Sequence, residues 1–451
     1  MSENFADDLL GLADSLVAQA EPGEEIEVVL SRGTSTTVKV YNQSIESLTS
    51  ADGSSGGIRV IRDGQLGFAH CGSTDEAVLR QTLAEARDNL RFAEPDEFNR
   101  LAEPDGVESV RQATWSDEVL SFPADKKIEL AMALESKVLG LDDRIVSARS
   151  TSYSDGWGHS VMVSTAGIRI AERSSSCSIG TQPLSESDGE TQIGFGYGVW
   201  LEPSQVDVDK VAAEAAERAV KLFGAKKPLS GRMPIILEPR LAMTLLGIVS
   251  GMLAGDTVVR GRSPFANRLG ESIASPLLTL TDDPTRSESL GAAEFDGEGL
   301  ACRPNPLIVK GDLNRFLYDT YTARRVGVAP TASAVRGVRS LPGVGAQLLV
   351  MEPGAGSLEE LIAGVDQGLL VNSFSGLHSG VNAVSGDFSV GADGLMIRDG
   401  AIAEPVREIT AASTIQRLLQ NIVAVGGDFE WLPSGDGAAT LVIEDVSIAG
   451  V

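Results

Sequence analysis

Residues 238–265, EPRLAMTLLGIVSGMLAGDTVVRGRSPF, decide how this chain is read. Leu241, Met243, Leu245, Leu246, Ile248, Val249, Met252 and Leu253 put apolar side chains on every side, with only small residues between them. A helix that is hydrophobic all round belongs in an interior, and about thirteen residues are too few to cross a bilayer. Gly247 and Gly251, four apart, are read as points of close backbone approach, at some cost in helix propensity. Gly255 is read as the C-terminal stop, with a polar loop after it carrying Asp256, Arg260, Arg262 and Ser263. The expectation is a buried central helix in a larger C-terminal domain.

The residues around that helix share a texture. From Gly231 onward short apolar segments alternate with glycine turns: MPIILE, PLLTLTDD, PLIVKGDLNRFLYD, QLLVMEPG, GLLVNSFSG, DFSVGADGLMIRDGAIAEPV and ATLVIEDVSI. Arg398-Asp399-Gly400-Ala401 has hairpin-turn chemistry. Residues 358–364 and 413–422 are short helices by pattern. Many strands around one buried helix predict a mainly-β, barrel-like domain over residues 231–451.

Upstream the pattern is α+β. Phe5, Leu9, Leu10, Leu12, Leu16 and Val17 give a helix one apolar face. EIEVVLSR and TTVKVYNQSIESLTS alternate as separate half-buried strands, and GGIRVIRDGQLGFAHCG is a hairpin turning at Asp63-Gly64. Thr74 to Phe92 is an amphipathic helix, closing a unit over residues 1–95. After a polar, proline-containing connector, a middle α+β segment over residues 115–228 has a helix from Pro123 to Leu139, strands in RIVSARSTSYSDGWGHSVMVST, GIRIAERSSSCSIG and QIGFGYGVWLE, and a helix from Val206 to Phe223. It is expected to continue the first unit as one N-terminal lobe of antiparallel sheet with helices.

Composition narrows the function. The chain has 451 residues, 42% hydrophobic and 22% charged, ordinary for a globular protein with substantial cores. A net charge of −26 argues against nucleic acid and against anionic membrane surfaces. Cys71, Cys177 and Cys302 are odd in number and far apart, so they form neither a disulfide framework nor a Cys-x-x-Cys metal site. The acidic, amphipathic start is unlike a signal or transit peptide, and the expectation is a cytoplasmic protein.

Several stretches together resemble one family. They are Ser50-Ala51-Asp52-Gly53 with Gly57-Ile58-Arg59-Val60 and Gly67-Phe68-Ala69; Glu294-Phe295-Asp296-Gly297-Glu298-Gly299; Tyr321-Thr322-Ala323-Arg324-Arg325; Gly380-Val381-Asn382-Ala383-Val384-Ser385-Gly386-Asp387-Phe388-Ser389; Glu404-Pro405-Val406; and Asn421-Ile422-Val423. With the glycine-bearing helix they resemble the TldD/PmbA family, in its PmbA (TldE) branch. The catalytic TldD branch carries His-Glu-x-x-x-His on this helix, ahead of a Gly-Asp. Setting Gly255-Asp256 on that Gly-Asp puts Leu246, Gly247 and Gly251 at the positions of the two histidines and the glutamate. None can ligate a metal or act as a base, whereas a catalytic zinc site needs three protein ligands and an open position. The catalytic branch also has a later cysteine ligand, and no cysteine follows Cys302 here.

The resemblance implies a non-catalytic subunit that holds no cofactor itself. Its partner would be a TldD-type paralogue carrying the zinc, and the pair would act on unfolded peptides. A stand-alone peptide-binding scaffold, homodimeric when alone, is a second reading, and an autonomous hydrolase using Cys71, Cys302 or His378 a third. The family's association with DNA gyrase finds no support in an acidic chain without a basic stripe.

Among individual residues, His70 is adjacent to Cys71 on a strand, so the two point to opposite faces. His159 is expected in an exposed Ser/Gly-rich strand or turn. His378 sits in a loop of glycine and small polar residues suited to holding a peptide, and with Asn382, Ser385, Asp387 and Arg324 it makes up the candidate peptide cleft. Asp282-Asp283 is read as a cap or solvated turn. Glu294, Asp296 and Glu298 would share one face of a strand, where a hard cation is conceivable.

Overall fold

The computed structural model describes residues 2–451. Helix α1 (Ser2–Val17) leads into three strands, β1 (Glu24–Tyr41), β2 (Ser44–Arg62) and β3 (Gln65–Cys71), then α2 (Glu76–Asn89). EIEVVLSR and TTVKV are not separate strands but one, and the break lies further on. Gly33 between them sits flat against the next strand, where a Cβ would come 2.4 Å from Trp157 O. The chain turns instead at Asn42-Gln43, with φ of 51° and 54°, as it does at Asp63-Gly64, with φ of 52° and 78°. Two successive left-handed residues make the turn whose twist matches a hairpin. Asp75 caps α2 by accepting from Ala77 N and Val78 N.

Strands β4 (Ile145–Ser164), β5 (Arg169–Ser187), β6 (Glu190–Ile193) and β7 (Gly196–Trp200) come from the middle segment, yet they join the same sheet. Its order is β3-β2-β1-β4-β5-β6, with β7 also on β5, and every pairing is antiparallel. Even-numbered residues of β1 face the helices. Ile26, Val28 and Leu30 pack with α1 and α2, while Val38 and Val40 pack with the helices Ala124–Leu139 and Val208–Val220. Val29 points to the other face and meets Leu300 and Ala332 of the C-terminal domain.

In that domain, strands Gly231–Leu237, Gln367–Ser375, Asp387–Arg398, Ala401–Thr414 and Leu441–Ala449 close into a barrel, because Ala401–Thr414 pairs at both of its edges. The fold is α+β with a closed five-strand barrel. Asp399-Gly400 turns the hairpin between its third and fourth strands, with φ of 49° and 73°. The helix Pro239–Met252 follows the first barrel strand directly, with proline in its first turn. Leu241, Leu245, Leu246, Val249 and Met252 share one core with barrel residues such as Ile235, Leu369 and Ile443, and with Leu280, Leu307 and Met351 of a second, six-stranded sheet. Among the described residues no helix is long and apolar enough to cross a membrane.

Candidate functional site along the central helix

The helix is not buried all round. Arg240, Thr244, Gly247 and Gly251, spaced so as to share one face, run along its open side. Gly247 and Gly251 are exposed, and a Cβ at either would meet nothing within 4 Å. Neither glycine admits another backbone of this chain, so the close-approach reading is corrected: the glycines leave bare main chain on an open surface. Leu246 turns inward and is fully buried. Close approach occurs at Gly255, where a Cβ would lie 2.5 Å from the Tyr318 ring and 2.7 Å from Leu317 O. Gly255 also does not stop the helix, which ends at Met252; it opens a short second helix, Gly255–Val259.

At the head of this face lies a cavity of about 810 Å³ between the two lobes. One wall is β7, the opposite one the segment Glu430–Asp436, and Arg240, Met243 and Thr244 close it from the helix. Gly194 and Gly196 let β7 lie directly on the helix Val208–Val220, where a Cβ would come 2.1 Å from Ala215 O and 2.2 Å from Val211 O respectively. Gly198 makes room for the Trp200 ring, which a Cβ would meet at 2.2 Å. Trp431 stands edge-on to Phe429, ring centres 5.2 Å apart. Arg240 donates to Asn372 O at 3.0 Å, and burial and the Arg218 guanidinium together lower its pKa. Burial raises that of Glu430.

The glycine-rich loop is held by its own polar groups. Asn382 Oδ1 accepts from Val384 N and Ser385 N at 2.9 and 3.2 Å, Ser385 Oγ donates to Asp387 Oδ2 at 2.7 Å, and Gln416 Nε2 donates to Ser385 O at 3.0 Å. His378 is exposed on the one-turn helix Leu377–Gly380. Asn382 and Ser385 are thus bonded into one exposed loop that ends at Asp387, the first residue of the barrel strand, and His378 lies exposed on the short helix just before it. Arg324 is elsewhere: its guanidinium donates to Leu101 O at 2.9 Å, tying the helix Thr320–Val326 to the connector. Tyr321 does likewise through Asp96 at 2.8 Å.

Other candidates take structural roles. His159 is 3% exposed rather than on the surface, packed against the Trp115 and Trp157 rings, and burial followed by the Arg173 charge lowers its pKa. The serines and glycines around it face outward on alternate positions, and that pattern hid the buried face. His70 lies beside Phe68 while Cys71 faces the core, where its thiol donates to Ser73 O. Cys302 is buried against Gln347, and burial pushes its thiol up. Asp282 is no solvated turn: it is fully buried, accepts from Gln347 N and Leu348 N, and burial raises it to about 6. Glu294, Asp296 and Glu298 do not share a strand face, for the segment is a loop. Glu294 accepts from Ser109, Asp296 from Glu298 N, Leu300 N and Ala334 N, and Glu298 from Thr320 N.

Family models cover most of the chain: the PmbA/TldA metallopeptidase domain 1 over residues 26–90, the central domain over 117–223 and the C-terminal domain over 230–450. The chain belongs to the PmbA/TldD metallopeptidase family. It is 27% identical to the metalloprotease PmbA of Escherichia coli O157:H7, over 94% of this chain and 92% of that one. A metalloprotease TldD homologue of Buchnera aphidicola is 25% identical, covering 87% and 86%. Among solved structures, a Bacteroides thetaiotaomicron protein described as a candidate modulator of DNA gyrase superposes over the whole of both chains with a TM-score of 0.88 at 28% identity. TldE from Thermococcus kodakarensis shares the fold, with a TM-score of 0.85 at 22% identity over 99% of each chain.

The metal that the family name implies does not fit the donors this PmbA/TldD chain offers. Its three histidines all lie off the central helix. Leu246 has a hydrocarbon side chain, Gly247 and Gly251 have none, and among the described residues no group of three or more His, Cys, Asp or Glu is placed to hold a metal ion. Sequence reading missed Tyr197, Trp200, Arg240 and Trp431 around the cavity; the glycine–aromatic alternation of Phe195-Gly196-Tyr197-Gly198 was the available signal.

Proposed function

We propose that this chain is the non-catalytic, PmbA/TldE-type subunit of a cytoplasmic heteromeric metallopeptidase acting on unfolded peptides. A TldD-type paralogue with His-Glu-x-x-x-His would supply the zinc. The observation that carries the reading is the helix itself: at the three positions of the catalytic branch's motif, this chain presents the bare backbone of Gly247 and Gly251 on the open face and a fully buried Leu246. The occurrence of both PmbA and TldD homologues among its relatives is consistent with paired paralogues. In this reading the chain completes a cleft, and the exposed loop with His378, Asn382, Ser385 and Asp387 faces the peptide.

Hydrolysis of an unfolded peptide, with zinc content measured alongside, tests the reading on the chain alone and on its mixture with the paralogue. Activity and zinc in the mixture alone are expected. Activity of the isolated chain with stoichiometric metal would refute the proposal. Absence of any complex would favour a homodimeric peptide-binding scaffold.

A further inference from the structure

Strand β7 has a free edge. It pairs with β5 on one side, Cys177 opposite Trp200 through Thr181 opposite Gly196, and among the described residues no strand pairs with its other side. The cavity beside the central helix is lined by every residue from Tyr197 to Leu201. Consecutive side chains of a strand point to opposite faces, so a cavity touching all of them runs along the edge itself. Unpaired main-chain groups and an aromatic recess therefore lie side by side.

We propose that β7 and this cavity form a selective peptide subsite, in which an extended segment adds to β7 as a further strand and seats one bulky apolar side chain between Tyr197, Trp200 and Trp431. Main-chain pairing supplies affinity and the recess supplies choice of side chain. The recess, about 810 Å³, is of ligand-pocket size. Its aromatic walls suit phenylalanine, tryptophan or leucine, whereas an acidic side chain would meet a lining on which the carboxylates of Asp207, Glu214, Glu288, Glu430 and Asp436 outnumber the cations of Lys210, Arg218 and Arg240. The free edge is five residues long, about 17 Å, which fits a short peptide and not a second domain. This inference deepens the proposed function and rests on it for a peptide as the occupant.

Calorimetric titration of the isolated chain with short blocked glycine–serine peptides tests it, the central residue being phenylalanine, leucine, alanine or aspartate. Phenylalanine and leucine peptides are expected to bind at least about tenfold more tightly than alanine, from the apolar area they bury, and aspartate least. Trp431→Ala, and independently Tyr197→Ala should the first fail to fold, are expected to erase that preference, while Phe92→Ala on the remote surface keeps it. N-methylation of alternate peptide amides is expected to abolish binding. Equal binding of all four peptides, preference unchanged in both variants, or no binding at all would overturn the inference. No paralogue is present in the titration, so its failure leaves the partner-subunit reading standing, and failure of the mixed assay leaves this one standing.

Discussion

Glu27→Gln should destabilise the protein by about 3–5 kcal/mol, because it breaks a buried ion cluster that joins the two lobes. Glu27 on β1 accepts from Arg59 Nη2 on β2 at 2.8 Å and from Arg336 of the C-terminal domain. All three side chains are at most 6% exposed. After substitution Arg59 keeps Glu298 at 3.7 Å, while Arg336 loses its carboxylate in a dry site. An exposed pair such as Glu76–Arg80 gives the scale for comparison: Glu76→Gln should cost no more than about 0.5 kcal/mol. With the N-terminal lobe melting as a unit, about 2–4 °C per kcal/mol corresponds to a Tm lower by on the order of 10 °C. Burial alone would push the Glu27 carboxyl up; the Arg59 and Arg336 guanidinium groups outweigh it and hold it below its ordinary 4.5. A depressed folded pKa means that the contribution is complete above about 4.5 and is lost as pH falls through the lower folded value. The gap between wild type and variant should therefore close in acid. Thermal and urea unfolding across pH measure it. The double variant Glu27→Gln/Arg336→Met should cost less than the sum of its parts, since it removes the stranded charge. A loss below about 1 kcal/mol at neutral pH, or strict additivity, would refute this account.

Three further outcomes follow from other sites. Gly247→Ala and Gly251→Ala meet no atom within 4 Å and should each stabilise the protein by up to about 1 kcal/mol through helix propensity, whereas Gly255→Ala must displace Tyr318 and should destabilise it; denaturant melts of the three decide. Burial, then the Glu294 charge, raises Glu172 to about 7 from 4.5, so the folded state keeps a proton that the unfolded chain releases. Stability should thus fall as pH rises through that window, by at most about 3 kcal/mol, and Glu172→Gln should flatten the profile. Arg324→Ala removes the bond to Leu101 O and should raise the hydrogen-exchange rate of the 94–101 connector; unchanged exchange there would mean that the tie carries little.

Local chemistry told most of the architecture. The Asp63-Gly64 and Asp399-Gly400 turns, the apolar run from Leu241 and the alternation of the barrel strands were all legible, because turn conformation and side-chain periodicity depend on a few neighbouring residues. The lack of a His-Glu-x-x-x-His pattern on the helix and of any cysteine after Cys302 was equally plain, since ligand chemistry is a property of side-chain type alone.

What the sequence could not determine was which way a small residue faces. Gly247 and Gly251 suggested close packing and proved to be open surface, while Gly33, Gly196 and Gly255, outwardly similar, are the ones pressed against neighbours. His159 looked exposed among serines and glycines and is buried between two tryptophans. Arg324 suited a peptide terminus and is used on the connector at Leu101, 223 positions away. The aromatic cavity draws on residues from 195 to 436. A glycine has no side chain to betray its surroundings, and a cavity is a property of surfaces brought together from distant segments. Only closure of the sheet against the barrel decides both.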